Sequence, residues 1–340
     1  MADAPRLSLR ATAVGRRAAA ALSLVAAALA ACGGDPTGEP MRVTVPARAG
    51  LSTVADSLEA RGIVGSETSF KLYARMKGAA GKLKPGVYEF RRGEAYADVV
   101  GKLVRGDVVK VRVAIPEGWS VAQIADRIAA ASGIPGDSVR RVLEAPGAAK
   151  RFGVPGPTLE GYLYPATYVF PLGTDVGRMA GAMVKRYRDA WTPEMRERAR
   201  ALGMDEREVV TLASIVEKEA KVWTERPAIA AVYHNRLRRR MRLQADPTVQ
   251  YALGAHQARL LYAQIDAVAD NPYNTYRHAG LPPGPIASPS AGALRATLNP
   301  DPHDYLYFVA RPNGTHVFTR TLAEHNRAKF AAQREAGLRR

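Results

Sequence analysis

A single cysteine, Cys32, in 340 residues sets the tightest limit on how this chain can fold. No disulfide can form within the chain, so the fold must stand on a buried apolar core rather than on covalent staples. The length leaves room for two domains, or three small ones. A hydrophobic content of 47% with 30 glycines fits an ordinary globular protein. The formal net charge of +17 suggests an acidic partner such as nucleic acid, an anionic membrane surface or an acidic polymer.

The N-terminus narrows that choice. Arg10, Arg16 and Arg17 precede an apolar run, AAAALSLVAAALAAC, ending at Cys32. A charged region, an apolar region and small residues in that order read as an export signal. The run is 15 residues long, short of the roughly 20 that span a bilayer comfortably. Leu29-Ala30-Ala31-Cys32 followed by two glycines resembles a bacterial lipobox, in which Cys32 becomes the lipidated first residue of the mature chain. An uncleaved anchor helix is the other reading. Either route expects a protein held at the inner membrane and facing the periplasm. Removing residues 1–31 takes away four arginines and one aspartate and leaves about +14. An exported basic chain points away from nucleic acid and toward phospholipid or an anionic wall polymer. The cluster Arg236, Arg238, Arg239, Arg240 and Arg242 is accordingly expected to face lipid or solvent.

Residues 33–41, GGDPTGEPM, read as a Gly/Pro linker. From 42 to 150 the pattern is α+β. Alternating Val43 and Val45 give a strand, and STVADSLEARGIV gives a helix with Ser52 as candidate cap and Gly62 at its end. Residues 111–134 repeat the order of strand, Gly-containing turn, Ser and helix, with Ser120 in the place of Ser52. The segment at about 111–150, with PEGWSVAQIA at its turn, resembles the LysM carbohydrate-binding module, although a closing strand is not evident. From 151 to 340 a second, mainly helical domain is expected. It carries a long ordered loop at 271–290 and a hairpin around Asn313-Gly314.

Within that domain TLASIVEKEA, residues 211–220, places two glutamates in a helix that otherwise reads as buried. At 100° per residue, Val209, Leu212, Ala213, Val216 and Ala220 form one apolar stripe. Glu219 falls beside Leu212 and Ile215, where desolvation raises a carboxyl pKa toward what a general acid needs. Glu217 lies on the other shoulder, near Val210 and Ala213, where a pairing with Lys221 is open to it. The geometry tilts the choice toward Glu219 without closing it. Asn235, Gln244, Asn274 and Tyr276 supply amides and a hydroxyl suited to a neutral, hydroxyl-rich ligand. Asp246 reads as an N-cap and His234 as a surface residue. No spacing of His, Asp or Cys suggests a metal site, and no cofactor is expected.

Taken in order, ASIVEKEA, NRLRRRMRLQADPTVQYALG, YNTYRHAGLPPGPIASPS and DYLYFVARPNGTHVFTRTLAEHN resemble the motifs of the endolytic murein transglycosylase (MltG/YceG-like) family. LEGYLYPATY at 159–168 fits a motif upstream of these, and the likeness runs over roughly 42–335. The resemblance implies an enzyme whose substrate is the glycan strand of peptidoglycan. It implies a LysM-like subdomain ahead of the catalytic domain, and Glu219, the second glutamate of E-K-E, as the catalytic acid. Ala166 departs from the family pattern at a position that is often acidic. The implied reaction is lytic cleavage of the MurNAc–GlcNAc β-1,4 bond with a 1,6-anhydro product, with peptidoglycan synthases as partners and termination of growing strands as the role. A hydrolytic muramidase would need a second carboxylate, for which Glu217, Glu160, Asp246 and Glu225 are candidates. A non-catalytic wall-binding lipoprotein is the other alternative.

Overall fold

The computed structural model describes residues 37–255 and 260–337, so the apolar run and Cys32 lie outside the described residues. The chain divides into two compact units. One runs to Val111 and includes Phe170–Gly173; the other comprises Arg112–Val169 and the chain from Thr174 onward. Residues 112–150, grouped in the sequence with the N-terminal region, therefore belong to the second unit.

The first unit carries β1 (Thr37–Val45), α1 (Leu51–Glu59), α2 (Glu67–Met76), β2 (Gly86–Arg92) and α3 (Tyr96–Arg105). β1 and β2 pair antiparallel with Met41 opposite Phe90 and Val43 opposite Tyr88. Alternation sends Val43, Val45, Tyr88 and Phe90 to one buried face, as a half-buried two-stranded sheet requires. Each helix lays its own stripe on that face: Leu51, Val54, Ala55 and Leu58 from α1, Phe70, Tyr73 and Ala74 from α2, and Tyr96, Val99 and Leu103 from α3. Residues 37–41, read as the end of a linker, are strand. The ladder shifts register between Thr37 and Met41, where Gly38 takes a φ of 77° that few other residues tolerate.

The second unit takes up the end of β3 (Lys110–Ala114) and continues with α4 (Val121–Ser132), α5 (Gly136–Leu143), α6 (Ala148–Phe152) and β4 (Thr167–Pro171). Then come α7 (Val176–Ala190), α8 (Pro193–Ala201), α9 (Glu206–Glu219), a 3-10 turn at Trp223–Glu225, α10 (Arg226–Arg238), α11 (Asp246–Leu253) and α12 (Tyr262–Ala267). α13 (Ala291–Leu298), the hairpin β5 (Tyr307–Ala310) and β6 (His316–Thr319), and α14 (Leu322–Glu335) complete it. The mixture of helices and small sheets is the expected α+β class. The hairpin pairs Phe308 with Phe318 and Val309 with Val317, and Gly314 turns it at a φ of 86°. The two β-turn-α units start their helices differently. Ser120 closes a capping box with Gln123, whereas the N-cap of α1 is Gly50 and Ser52 lies inside the helix.

α9 is the centre of this unit. Asp205 and Glu208 form a capping box at its start. Every residue from Val209 to Val216 is buried, so the middle of the helix is enclosed all round rather than on one stripe. It packs on α10 and α13. Inside it the buried Ser214 hydroxyl donates to the Thr211 carbonyl at 2.7 Å. Ser214 Oγ also accepts the Ile286 N–H at 3.0 Å, which pins the long loop onto the helix.

Phe70, with no solvent exposure, meets Tyr96 edge-on at 5.6 Å between ring centroids. Phe70→Ala is expected to cost about 3–5 kcal/mol, read as a lowered denaturant midpoint for the unfolding of the first unit.

Candidate active site

Glu219 is the last residue of α9, and Ala220 turns the chain into extended backbone. Tyr233, fully buried on α10, donates its hydroxyl to Glu219 Oε1 at 2.8 Å. The Tyr233 ring packs edge-on against Phe308 of the hairpin at 5.8 Å. One helical turn later Arg236 is buried too. Its Nε donates to the Leu306 carbonyl and its Nη1 to the Leu243 carbonyl, each at 2.6 Å, and its guanidinium lies 5.1 Å from the centre of the Tyr307 ring. This corrects the expectation that Arg236 faces lipid or solvent, because two other segments of the fold, around Leu243 and Leu306, converge on it.

The connection after α10 brings a second carboxylate. Gln244 takes a φ of 49°, a left-handed geometry uncommon outside glycine. Its N–H donates to the Thr275 carbonyl at 3.2 Å. Thr275 Oγ1 also accepts the Ala245 N–H at 3.0 Å and shares a 2.9 Å contact with Thr248 Oγ1. Asp246 follows at the start of α11. It makes no side-chain cap, the N-cap being Ala245. Instead it accepts a hydrogen bond from the Tyr276 hydroxyl. Tyr276 thus comes from the long loop and Asp246 from the short connection, and together they stand near Glu219.

Burial dominates the electrostatics. Glu219 keeps some exposure as a residue, but protein surrounds its carboxyl, and desolvation pushes that group up to about 7. The Tyr233 hydrogen bond opposes this, the Asp246 charge adds to it, and Arg236 opposes it again. The Tyr233 and Tyr276 hydroxyls are driven upward, first by burial and then by the carboxylates beside them. Both stay protonated and act as donors.

The neighbouring glutamate differs in kind. Glu217 Oε1 receives Arg226 Nη2 at 2.7 Å, and Oε2 receives the N–H and hydroxyl of Ser290 at 3.0 and 2.5 Å. Its partner is therefore Arg226 rather than Lys221. Glu225 is occupied by the N–H and Nδ1 of His316 at 3.1 and 2.7 Å. Glu160 is 4% exposed, and burial pushes its carboxyl up to about 8.

Of the polar residues expected around the acid, Gln244 keeps an exposed side chain beside Asp246, and Tyr276 is bonded to Asp246. Asn235 and Asn274 are internal braces. Asn235 Nδ2 donates to the carbonyls of His303 and Tyr305, both at 2.9 Å. Asn274 Nδ2 donates to those of Ile265 and Val268 at 2.8 and 3.0 Å. His234 is buried rather than superficial, with Nε2 2.8 Å from the Thr297 carbonyl. Among the described residues no group of three or more His, Cys, Asp or Glu is placed to hold a metal ion. Sequence reasoning did not single out Tyr233. Its signal was present as an aromatic residue three positions before an arginine on a helix that follows the glutamates.

Residues 43–331 match the sequence model of the YceG-like family. The chain is 35% identical over 308 residues to the endolytic murein transglycosylase of Bacillus subtilis, across 85% of this chain and 84% of that one. It is 29% identical over 325 residues to the Streptococcus pneumoniae protein of the same name, spanning 59% of that longer chain. A crystal structure of a YceG-like protein from Listeria monocytogenes aligns with a TM-score of 0.59 at 34% identity, over 86% of this chain and 99% of that one.

Tyr233→Phe removes a donor that favours the charged carboxylate. The Glu219 carboxyl is therefore expected to titrate above its present value of about 7, measured by NMR titration of the side-chain carboxyl carbon. An unchanged or lower value contradicts the assigned hydrogen bond.

Proposed function

The chain belongs to the YceG-like family, and we propose that it is an endolytic murein transglycosylase cutting inside the glycan strands of peptidoglycan with Glu219 as its acid. The observation that carries this reading is a desolvated carboxyl, at about 7, held at the end of a buried helix by the hydroxyl of a buried phenol. Near neutral pH such a group is present in both protonation states, which a single residue acting first as acid and then as base requires.

The chemistry balances around that group. Neutral Glu219 gives its proton to the glycosidic oxygen as the bond to C1 of MurNAc breaks. The carboxylate so formed takes the proton of the MurNAc C6 hydroxyl as that oxygen attacks C1. The product is a 1,6-anhydro end, and water is not consumed. Tyr233 holds the carboxyl in place through both steps. A hydrolytic muramidase is the second reading, and Asp246 is the observation in its favour, since its charge acts on Glu219. The other three candidate carboxylates are bonded elsewhere.

Further parts of the reading rest on the sequence. Residues 18–32 anchor the chain at the inner membrane with the described units in the periplasm, by lipid on Cys32 or by a helix. The strand, helix, helix order of β3, α4 and α5, closed by the later strand β4 in a two-stranded sheet, supports a LysM-like module. Partners are expected among the peptidoglycan synthases, and the biological role is to end growing strands.

Glu219→Gln is expected to lower cleavage of purified sacculi by about 10²–10⁴-fold without lowering the melting temperature. Mass spectrometry of the wild-type products should show anhydro-muropeptides; reducing MurNAc ends instead would make the enzyme a hydrolase. The wild-type rate is expected to fall as pH rises through about 7, because the acid must carry its proton. Cells relying on the Glu219→Gln chain should hold longer glycan strands, and unchanged lengths contradict the terminating role. Incorporation of labelled fatty acid into the wild-type chain and not into the Cys32→Ala chain identifies lipid as the anchor; absence of label in both identifies the helix.

A further inference from the structure

The second unit contains a cavity of about 420 Å³ lined from the start of α4, the segment around Glu160, the end of α9 and α11. Its volume lies within the range of about 300–1,000 Å³ typical of small-ligand pockets. Glu219 is not part of its wall. Lys218 and Pro247 are, so the residues directly beside Glu219 and Asp246 in sequence form its near side.

A buried carboxyl, Glu160, lies on its wall. Both carboxyl oxygens accept the Val121 N–H, at 3.1 and 3.2 Å, and the Tyr251 hydroxyl bonds to it as well. Gly161, next in the chain, holds this segment against α9 at a φ of 85°. A side chain there would meet Pro285 at 2.5 Å and Val210 at 3.0 Å. The carboxyl is thus rigidly seated. With its acidity weakened to about 8, it is mostly uncharged at neutral pH and offers a donor as well as an acceptor.

The rest of the wall sets the chemistry of a ligand. Leu143 and Ile286 give an apolar floor, while Gln123 and Thr158 add an amide and a hydroxyl. The one ammonium, Lys218, donates to the Gly118 carbonyl at 3.3 Å. Glu144, exposed and also on the wall, makes the cavity inhospitable to carboxylates. Hydroxyls, an amide and an apolar patch, without net charge, describe an N-acetylated hexosamine.

We propose that this cavity is a subsite for a neutral N-acetylglucosamine unit of the glycan strand, engaged by Glu160 and Tyr251 at a distance from the bond being cut. The subsite rests on the glycan-cleavage reading above. It gives the enzyme a grip on strand interior rather than on strand ends, because a sugar must lie in it while another is presented to Glu219.

Ala122 is exposed on the rim of the cavity, at the second position of α4. Ala122→Trp should block the entrance, and Ala122→Glu, favourable in a first helical turn, serves as a second folded variant. Binding of the N-acetylglucosamine tetramer to the full chain carrying Glu219→Gln is measured by calorimetry. Ala122→Trp is expected to weaken it at least about tenfold, while Ala122→Glu changes it less than about threefold. In the otherwise wild-type chain, Ala122→Trp should raise KM for glycan strands and leave kcat unchanged. Equal binding and equal KM in the Trp variant overturn the subsite. An effect confined to strands bearing peptide stems, or tighter binding in the Glu variant, overturns the sugar assignment in favour of a cationic peptide group. If the wild type cleaves no glycan while the Trp variant still loses the tetramer, the catalytic reading fails and the subsite stands.

Discussion

The hydrogen bond from Tyr233 to Glu219 is the point on which the second unit turns. It joins the end of one buried helix to the middle of the next, and it can exist only because both are enclosed. α9 contributes an unbroken buried stretch from Val209 to Val216, so the helix cannot rotate without exposing apolar groups to water. Its last residue is therefore delivered to a fixed place. That place is also the negative end of a helix dipole, which disfavours a charged carboxylate there and acts in the same direction as the loss of solvent. A phenol that stays protonated is the mildest available partner: it orients the carboxyl and leaves the charge uncompensated.

Glu217 shows what the alternative looks like. Two residues earlier on the same helix, a carboxylate receives a guanidinium, a backbone N–H and a hydroxyl. Those partners come from the first turn of α10 and the N-cap of α13, so the ion pair fastens three helices together. It is buried on both sides, with 7% and 15% side-chain exposure, and breaking such a pair by deleting one partner costs about 3–5 kcal/mol. The brace keeps the end of α9 rigid. Two glutamates on one helix end thus have different partners, an ion pair with two further donors for Glu217 and a single phenol for Glu219.

Much of this was legible in the sequence, and the line between what was and was not is physical. Period and punctuation are local, so the helix around Glu219, the Asn313-Gly314 hairpin and the strand alternation of Val43 and Val45 follow from them. Glu217 and Glu219 differ by 200° around the helix axis, which was enough to give them different neighbours. What local pattern cannot carry is the identity of remote partners. Asn235 meets carbonyls 68 and 70 residues away, and Arg236 meets one 70 residues away. An amide that looks available for a sugar is consumed by irregular backbone that has no strand or helix to satisfy it. Asp246 fits a helix start in every local respect, yet Tyr276, 30 residues later, takes its oxygen. Ser52 and Ser120 stand in matching positions of two similar segments, and only the latter caps, because Gln123 completes its box.

The last three residues of α9's acidic end now have separate addresses. A helix turns about 100° per residue, so Glu217, Lys218 and Glu219 face three directions from one rigid rod. Glu217 faces the brace of Arg226 and Ser290. Lys218 reaches the Gly118 carbonyl and forms the wall of the cavity that holds Glu160. Glu219 meets Tyr233. Gly118, at a φ of 71°, stands so close that a side chain there would lie 3.5 Å from Glu217 and 3.6 Å from Lys218. The turn leading into α4 is tied to the long loop as well, the Gly118 N–H donating to the Ser288 carbonyl and the Ser288 N–H to the Trp119 carbonyl, both at 2.8 Å. A cavity and an acid fixed to successive residues of one helix cannot drift apart in register. The proposed subsite and the Glu219 carboxyl are thereby held at a separation set by the fold, the kind of fixed positioning that orients a bound polymer.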